Sequence, residues 1–184
     1  MNRTEFRGRV WVLLDKQGVL IEDIDTDQIF HNAHLHITDL KQMGPLALGN
    51  LEGWKDFPSK ASPGDILVAG RNFGAGSSRQ QAVDCFIALG LTAILAPSFG
   101  AIYFRNAVNS GLPVLRSRAL EQLVREGRLV SGDTIRVDGL SGRAEVANRA
   151  VSYEVLPLSL VQADILQAGN LFLFGKTLQN PGKP

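Results

Sequence analysis

The chain has 184 residues, of which 45% are hydrophobic and 20% are charged, a composition typical of a globular protein. Its formal net charge of +1 gives no electrostatic reason to expect nucleic acid or an anionic membrane as a partner. The single cysteine, Cys85, excludes an internal disulfide and cannot by itself hold zinc or an iron–sulfur cluster. The N-terminal residues lack the apolar stretch of a secretory signal and no segment is long enough to cross a bilayer, so we expect a cytoplasmic protein.

The N-terminal third combines one predicted strand with a polar, histidine-rich segment. The apolar run at residues 7–14 predicts a strand. The polar residues 22–27 (EDIDTD) follow, and then residues 30–38 (FHNAHLHIT) hold all three histidines of the chain. Residues 41–62 contain Gly, Pro and Asn with little periodicity, which indicates a long excursion with room for a short helix. A loop of this length in a compact domain is more often functional or mobile than idle.

From residue 63 the pattern indicates strands that alternate with helices and are followed by a strand-rich end. Short apolar runs predict buried strands, and apolar residues at helical spacing predict helices. The predicted strands are residues 66–69, 92–96, 112–115, 134–137 and 151–155, and the predicted helices are residues 82–89, 98–110, 118–126 and 159–167. No internal repeat or linker interrupts the chain. We therefore predict an α/β fold in which residues 1–184 form one domain, with helices packed on a mixed sheet.

The glycine-rich turn after the strand at 66–69 is the most informative part of the chain. Gly74 and Gly76 permit positive φ angles and a close approach of the backbone to a bound group. Ser77 or Ser78 stands where the N-cap of the next helix is expected, and Arg79 adds a positive charge. These features describe an anion pocket at a helix N-terminus, but on local chemistry alone a serine that only caps the helix explains them equally well. The dinucleotide motif G-x-G-x-x-G fails, because arginine stands at position 79.

Four segments resemble the small, swivelling domain of the aconitase superfamily. They lie in matching order and spacing over roughly residues 8–115. The segments are residues 25–29 (DTDQI), 72–79 (NFGAGSSR), 97–106 (PSFGAIYFRN) and 109–113 (NSGLP). The resemblance is greatest to the separate small subunits of isopropylmalate dehydratase and homoaconitase. One departure is that Gln80 and Gln81 stand where the superfamily usually has Glu and His.

The resemblance implies a division of labour between two chains. In this family a large subunit holds a [4Fe–4S] cluster with three cysteines, and the small subunit closes over the site and supplies a serine. The reaction is a reversible dehydration and rehydration that moves a hydroxyl between neighbouring carbons of a hydroxy acid. We therefore expect this chain to bind no metal or cofactor itself and to act in a heterodimer or heterotetramer with a large iron–sulfur subunit.

The resemblance also assigns roles to individual residues. Ser77 is expected to take the proton from the carbon next to a carboxylate, with its alkoxide stabilised by backbone N–H groups, the helix N-terminus and a positive charge. Arg79 is expected to pair with a substrate carboxylate and Ser78 to lend a second hydroxyl or N–H. Asp27 is expected to orient polar groups rather than to titrate. The remaining residues expected to support the site are Thr26, for which turn capping is an alternative role, and Asn72, Gly74 and Gly76.

The H-x-x-H-x-H run allows three interpretations. As a metal site it has no cysteine and lacks the spacing typical of zinc sites. As a set of catalytic bases it is redundant with Ser77. The resemblance favours a substrate-reading segment within a specificity loop at about residues 30–62, although a surface loop with incidental histidines stays open. No role is assigned to His31 or His34.

His36 is the candidate that reads the variable arm of the substrate. In the resembling enzymes this position holds an arginine when the substrate arm ends in a carboxylate and a small apolar residue when the arm is a branched alkyl group. A histidine can donate a hydrogen bond to a carboxylate without always carrying charge. We expect His36 to contact the variable arm, with Leu35 and Ile37 at the border of the same pocket.

The resemblance thus predicts the small subunit of a hydro-lyase that acts on 3-isopropylmalate in leucine biosynthesis. Homoaconitase and 2,3-dimethylmalate dehydratase are the alternative activities within the superfamily. A hypothesis of another class is a non-catalytic module whose serine–arginine loop binds an anion. An enzyme subunit would need its large partner in order to act, whereas a binding module would not.

Overall fold

The computed structural model of the chain describes residues 3–179 and shows a mixed α/β architecture. Within this range seven strands form one sheet. They are β1 (Glu5–Val12), β2 (Ile66–Val68), β3 (Ala93–Ala96), β4 (Val114–Arg116), β5 (Thr134–Asp138), β6 (Arg143–Val146) and β7 (Val151–Glu154). The helices are α1 (Thr26–Ile29), α2 (Leu40–Met43), α3 (Phe57–Lys60), α4 (Gln81–Ala88), α5 (Ala101–Asn109), α6 (Leu120–Arg125), α7 (Leu160–Ala168) and α8 (Leu171–Gln179). Short 3₁₀ turns occupy Asn32–His34 and Gly44–Leu46.

The first strand joins a parallel half of the sheet to an antiparallel half. The strand order is β4-β3-β2-β1-β5-β6-β7. The second half of β1 pairs in parallel with β2, with Val10 opposite Ile66, and its first half pairs antiparallel with β5, with Phe6 opposite Val137. The sheet then curls until its ends meet, because the Leu156 amide after β7 donates to the carbonyl of Arg116 in β4 at 2.7 Å.

Two hydrophobic cores lie on the two faces of this sheet. Side chains alternate along a strand, so Leu67 packs into one core and its neighbours Ile66 and Val68 into the other. The first core is covered by helices that follow the parallel strands, and Phe86 of α4 and Tyr103 of α5 are buried there. The second core fills the inside of the curl. This arrangement leaves the loops at the carboxyl ends of the parallel strands free to form a site.

The excursion at residues 41–62 is a packed layer rather than a free loop. It forms α2, a 3₁₀ turn and α3, and its apolar side chains are buried against the first core. The buried side chains are those of Met43, Ala47, Leu48, Leu51 and Phe57. Residues 98–110, predicted as one helix, begin with a turn that is hydrogen-bonded to the loop after β2, so that α5 starts only at Ala101. Within residues 3–179 no helix is long and apolar enough to span a bilayer.

Asp65, directly before β2, anchors the parallel half of the sheet. Its carboxylate accepts hydrogen bonds from the Arg9 guanidinium at 2.7 Å, from Trp11 Nε1 at 2.8 Å and from the Ser62 amide at 2.9 Å. Burial by itself raises the pKa of this carboxyl, but the bonds from Arg9, the Ser62 amide and Trp11 outweigh burial and lower the pKa overall. A lowered pKa in the folded state adds stability above the ordinary pKa, and this stability is lost as the pH falls through the folded value.

We expect Asp65→Asn to lower the free energy of unfolding by about 1.5–3 kcal/mol at pH 7, because three donors lose a charged acceptor. The deficit relative to the unaltered protein should shrink as the pH falls below about 4, where the unfolded chain takes up a proton at this aspartate, and should be smallest once the pH is below the lowered pKa of the folded carboxyl. Urea unfolding of both proteins at pH 7 and at a pH below about 4 measures how the deficit in the free energy of unfolding changes. Glu52→Gln is the control, because Glu52 pairs with Lys16 on the surface and contributes little. A deficit that is equal at both pH values would contradict the assignment.

Candidate active site

The candidate site lies at the carboxyl ends of the parallel strands. The glycine-rich loop follows β2, and the loop at residues 97–100 follows β3. The two loops are hydrogen-bonded to each other, since the Phe73 amide donates to the Ser98 carbonyl at 3.1 Å and the Gly100 amide donates to the Phe73 carbonyl at 2.9 Å. The carboxyl ends of parallel strands are where ligands of α/β proteins commonly bind.

The glycine-rich turn has the conformation that its sequence predicts. Gly74 has φ +77° and Gly76 has φ +88°, both in the region that favours glycine. A side chain at Gly74 would also overlap the ring of the buried Tyr103. The turn is fastened to the segment before α1, because the Gly74 amide donates to the Ile24 carbonyl at 2.8 Å and the Thr26 amide donates to the Ala75 carbonyl at 3.0 Å.

Ser77 lies on this turn with an exposed side chain, and it is not a helix cap. Helix α4 begins four residues later, its N-cap is Gln80, and no side chain caps it. The prediction that Ser77 or Ser78 caps the helix was therefore wrong. The helix starts later than predicted because the first helical hydrogen bonds are accepted by the carbonyls of Arg79 and Gln80. The hydroxyl of Ser77 instead lies 3.1 Å from the hydroxyl of the buried Thr26.

Ser78 and Thr26 are each held by a neighbouring element. Asn106 of α5 donates from its amide to Ser78 Oγ at 3.3 Å. Thr26 is the first residue of α1, whose N-cap Asp25 accepts from the amides of Asp27 and Gln28. The turn-capping role at this segment thus belongs to Asp25, while the side chain of Thr26 faces Ser77.

Arg79 is held in place by Asp27. Arg79 Nη1 donates to Asp27 Oδ1 at 2.5 Å and to the Phe30 carbonyl at 3.2 Å. The Asp27 carboxylate also accepts from the Asn32 amide at 3.0 Å and from Asn50 Nδ2 at 2.9 Å. The bond from Arg79 lowers the pKa of Asp27 against an opposing effect of burial, so Asp27 remains a carboxylate at neutral pH.

The contacts of Arg79 leave one edge of its guanidinium available. Both hydrogens of Nη1 are directed to the oxygens of Asp27 and Phe30. Within residues 3–179 no hydrogen bond engages its Nε or Nη2. These two nitrogens form a planar donor pair that matches the two oxygens of a carboxylate. The site can therefore bind a carboxylate beside an exposed hydroxyl.

Asn72 supports the start of the turn, and within residues 3–179 it makes no hydrogen bond to Ser77 or Ser78. It has the left-handed φ of 56°, which asparagine tolerates better than most residues. Its side-chain amide donates to Asp23 Oδ1 at 2.8 Å, and its backbone amide donates to Ser98 Oγ at 2.9 Å.

The histidine segment lies beside the serine–arginine turn. His31 Nδ1 accepts from the Ala33 amide at 3.2 Å, and its Nε2 lies 4.0 Å from Asp27 Oδ2. His34 packs edge-on against Phe30, and the side chain of His36 is exposed. Leu35 is also exposed, whereas Ile37 packs partly against the first core.

Three contacts of this site were not predicted from the sequence. They are made by Asn50, Gln81 and Asn106. Asn106 belongs to one of the motifs, and Gln81 is a departure from the superfamily pattern. The sequence predicted no contact for either residue. Asn50 lies 23 residues from its partner Asp27, and no pattern signals that distance.

Cys85, the one cysteine of the sequence, is not placed to hold a metal. Cys85 is fully buried in α4, where its thiol donates weakly to the Ala82 carbonyl at 3.6 Å. Burial and the neighbouring carboxylate of Asp84 raise the pKa of this thiol well above its usual value, so it is not the thiolate that a metal requires. Across residues 3–179, no three His, Cys, Asp or Glu side chains come together in a group that could hold a metal ion.

Comparison with known proteins places these residues in a family. The profile of the Aconitase C-terminal domain family matches residues 26–119. The 3-isopropylmalate dehydratase small subunit of Lachnospira eligens is 38% identical over 167 residues, which cover 91% of this chain and 92% of that protein. The protein of the same name from Pyrobaculum calidifontis is 39% identical over 170 residues, which cover 92% of this chain and 96% of that protein.

A solved structure has the same fold. The crystal structure of 3-isopropylmalate dehydratase from Methanocaldococcus jannaschii superposes with a TM-score of 0.82 at 29% sequence identity. The alignment covers 95% of each chain. The curled mixed sheet and its helices are therefore shared over nearly the whole length.

Proposed function

Because the chain belongs to the family of 3-isopropylmalate dehydratase small subunits, with an Aconitase C-terminal domain, we propose that it is the small subunit of a two-subunit hydro-lyase that acts in leucine biosynthesis. The observation that carries this proposal is an exposed serine hydroxyl, at Ser77, two residues before an arginine whose Nη1 is held by Asp27 and whose Nε and Nη2 make no hydrogen bond within residues 3–179. The relatives at 33–39% identity share the name of the dehydratase small subunit. The predicted family and the α/β fold are confirmed.

The partner is a large subunit that holds the [4Fe–4S] cluster. This chain supplies no cluster ligand, since its one cysteine is buried and protonated. The cluster would serve as a Lewis acid toward the hydroxyl that leaves the substrate. The contribution of this chain is to bind a carboxylate, to place a base and to shape the pocket for the variable arm of the substrate.

Ser77 is the base in this proposal. The hydroxyl is exposed at the site and its oxygen lies 3.1 Å from Thr26 Oγ1, which can donate a hydrogen bond to an alkoxide. Ser77 lies four residues before the start of α4 and does not cap it, so stabilisation of the alkoxide rests on Thr26 and on the charge of Arg79. The alkoxide oxygen takes the proton from the carbon next to the substrate carboxylate.

Arg79 is the carboxylate receptor and Asp27 its anchor. Arg79 Nε and Nη2 would donate to the two oxygens of one substrate carboxylate, while Asp27 holds Nη1 on the opposite side. Ser78, held by Asn106, offers a further hydroxyl. Thr26, Asn72, Gly74 and Gly76 maintain the turn. This division of roles puts the reacting carbon beside Ser77 whenever the carboxylate is bound.

The variable arm of the substrate lies toward Leu35 and His36, both of which are exposed next to this turn. Ile37, which packs partly on the core, would border the pocket from below. 3-Isopropylmalate is the substrate best supported, because the named relatives are 3-isopropylmalate dehydratase subunits. Homoaconitate and 2,3-dimethylmalate are the alternative substrates, which a pocket of different shape or polarity for the variable arm would favour.

The proposal is tested by anaerobic reconstitution with the cognate large subunit, followed by assay against 3-isopropylmalate, homocitrate and 2,3-dimethylmalate. We expect neither chain alone to form the unsaturated acid and the complex to form it fastest from 3-isopropylmalate. Ultraviolet absorbance of the unsaturated product measures the rate. A complex that dehydrates none of these acids, together with phosphate binding by this chain alone, would show an anion-binding module instead.

A further inference from the structure

Within residues 3–179, the tip of the histidine segment, residues 33–36, has one hydrogen bond to a distant part of the chain. Phe30 is fully buried at one end of the segment, and Ile37 packs on the core at the other. Between them the Asn32 amide donates to Asp27 Oδ1 at 3.0 Å, and the amides of His34 and Leu35 donate to carbonyls three residues earlier. Within residues 3–179, the only hydrogen bond from residues 33–36 to a distant part of the chain is the one from Gln81 Nε2 to the Leu35 carbonyl, at 3.2 Å.

Gln81 joins two parts of the site that are far apart in the sequence. It is the first residue of α4 and follows Arg79 by two positions. The same short stretch of backbone therefore carries the reacting serine, the carboxylate receptor and the donor that holds the tip. The preceding residue, Gln80, is directed elsewhere and donates to Asp84 and Ser110, each at 2.8 Å.

We propose that Gln81 is a specificity-determining positioning residue, which sets the placement of Leu35 and His36 relative to Ser77 and Arg79. It acts through the Leu35 carbonyl and does not itself touch the reacting atoms. The ligand group concerned is the variable arm of a hydroxy-dicarboxylic acid, the part that lies farthest from the carboxylate on Arg79. This inference rests on the proposed function, because it concerns the substrate pocket of that same site.

The positioning role of Gln81 is tested by a substitution that removes its hydrogen bond to the Leu35 carbonyl. Gln81→Met keeps the length and removes the donor without adding charge, and Gln80→Met is the matched control one residue away. A hydrogen bond of this kind contributes about two- to tenfold in an equilibrium. We expect Gln81→Met to change the ratio of kcat/KM values between 3-isopropylmalate and 2,3-dimethylmalate by about two- to tenfold. The change should lie in KM, with kcat on 3-isopropylmalate within about twofold of the unaltered complex because the bond does not reach the reacting atoms.

Amide hydrogen exchange of the free small subunit gives a readout that does not depend on activity. Gln81→Met should speed exchange in the peptide that covers residues 33–38, and Gln80→Met should leave it unchanged. His36→Val, which alters the tip without loosening it, should change the substrate ratio and not the exchange rate. These three patterns separate the positioning of the tip from its direct contact with substrate.

The outcomes distinguish this inference from the proposed function. Faster exchange together with an altered ratio supports it. Unchanged exchange, or faster exchange with an unchanged ratio, overturns it while the dehydratase assignment stands. An unaltered complex that is inactive on every acid overturns the proposed function and the specificity role with it.

Discussion

Replacement of Ser77 by alanine is expected to lower kcat of the assembled complex by about 10²–10⁴-fold, the range over which a positioned base contributes to a proton transfer. The hydroxyl is the group on this chain that is exposed at the turn and hydrogen-bonded to a buried partner. Alanine keeps the backbone of the turn and removes only the oxygen that would take the proton. KM should change little, because Arg79 and the tip of the histidine segment still bind the substrate.

The fold is expected to survive this substitution. Ser77 is exposed, and its loss deprives the buried Thr26 hydroxyl of one partner. An unsatisfied buried hydroxyl costs about 1–3 kcal/mol, which is well below the stability of an ordinary domain. Thermal unfolding of the small subunit and its co-purification with the large subunit show whether the altered chain is still assembled.

Ser78→Ala is the comparison variant, since Ser78 lies next in the chain and is held by Asn106. We expect it to lose about tenfold in kcat/KM, the equivalent of one hydrogen bond. The roles of the two serines are therefore distinguished by how large the loss of activity is and by whether it lies in kcat or in kcat/KM. A Ser77→Ala complex that turns over as fast as the unaltered one would remove Ser77 from the chemistry and leave the turn as a binding element only.

The parallel half of the fold was accessible from the sequence because its signals are local. The buried strand predicted at residues 66–69 is Ile66–Val68, and the one predicted at residues 92–96 is Ala93–Ala96. The double role of β1 was not accessible. A strand that pairs with β2 along one half and with β5 along the other has no periodicity that reveals either partner. Helix α8 was missed because Gly175 interrupts its apolar pattern.

In the site too, local features could be predicted from the sequence and long-range contacts could not. The positive φ angles at Gly74 and Gly76 were predicted from residue type, because few other residues tolerate them. The helix cap was predicted wrongly, because local sequence does not show where α4 gains its first hydrogen bonds. The contact between Arg79 and Asp27 spans 52 residues and depends on the tertiary fold, so the sequence did not predict it.

Replacement of Arg79 by lysine is expected to lower kcat/KM by about 10–100-fold, although the positive charge remains. The loss corresponds to about 1.5–3 kcal/mol, the usual contribution of a hydrogen bond to a charged group. Lysine has a single ammonium, which cannot hold Asp27 on one side and offer a planar pair of donors to a carboxylate on the other. Steady-state kinetics of the reconstituted complex measures the effect, and a rise in KM larger than the fall in kcat identifies it as lost carboxylate binding.

Asp27→Asn tests whether Asp27 works only through Arg79. The asparagine keeps an oxygen for Arg79 but loses the charge, and its amide then faces the donor Nδ2 of Asn50, so we expect about a tenfold loss in kcat/KM from one weakened hydrogen bond. In the Arg79→Lys background the guanidinium that Asp27 positions is already gone. The second substitution should then cost much less than it does alone, because residues that act through one contact are not additive. Losses that simply multiply in the double variant would show that Asp27 has a separate role in the reaction.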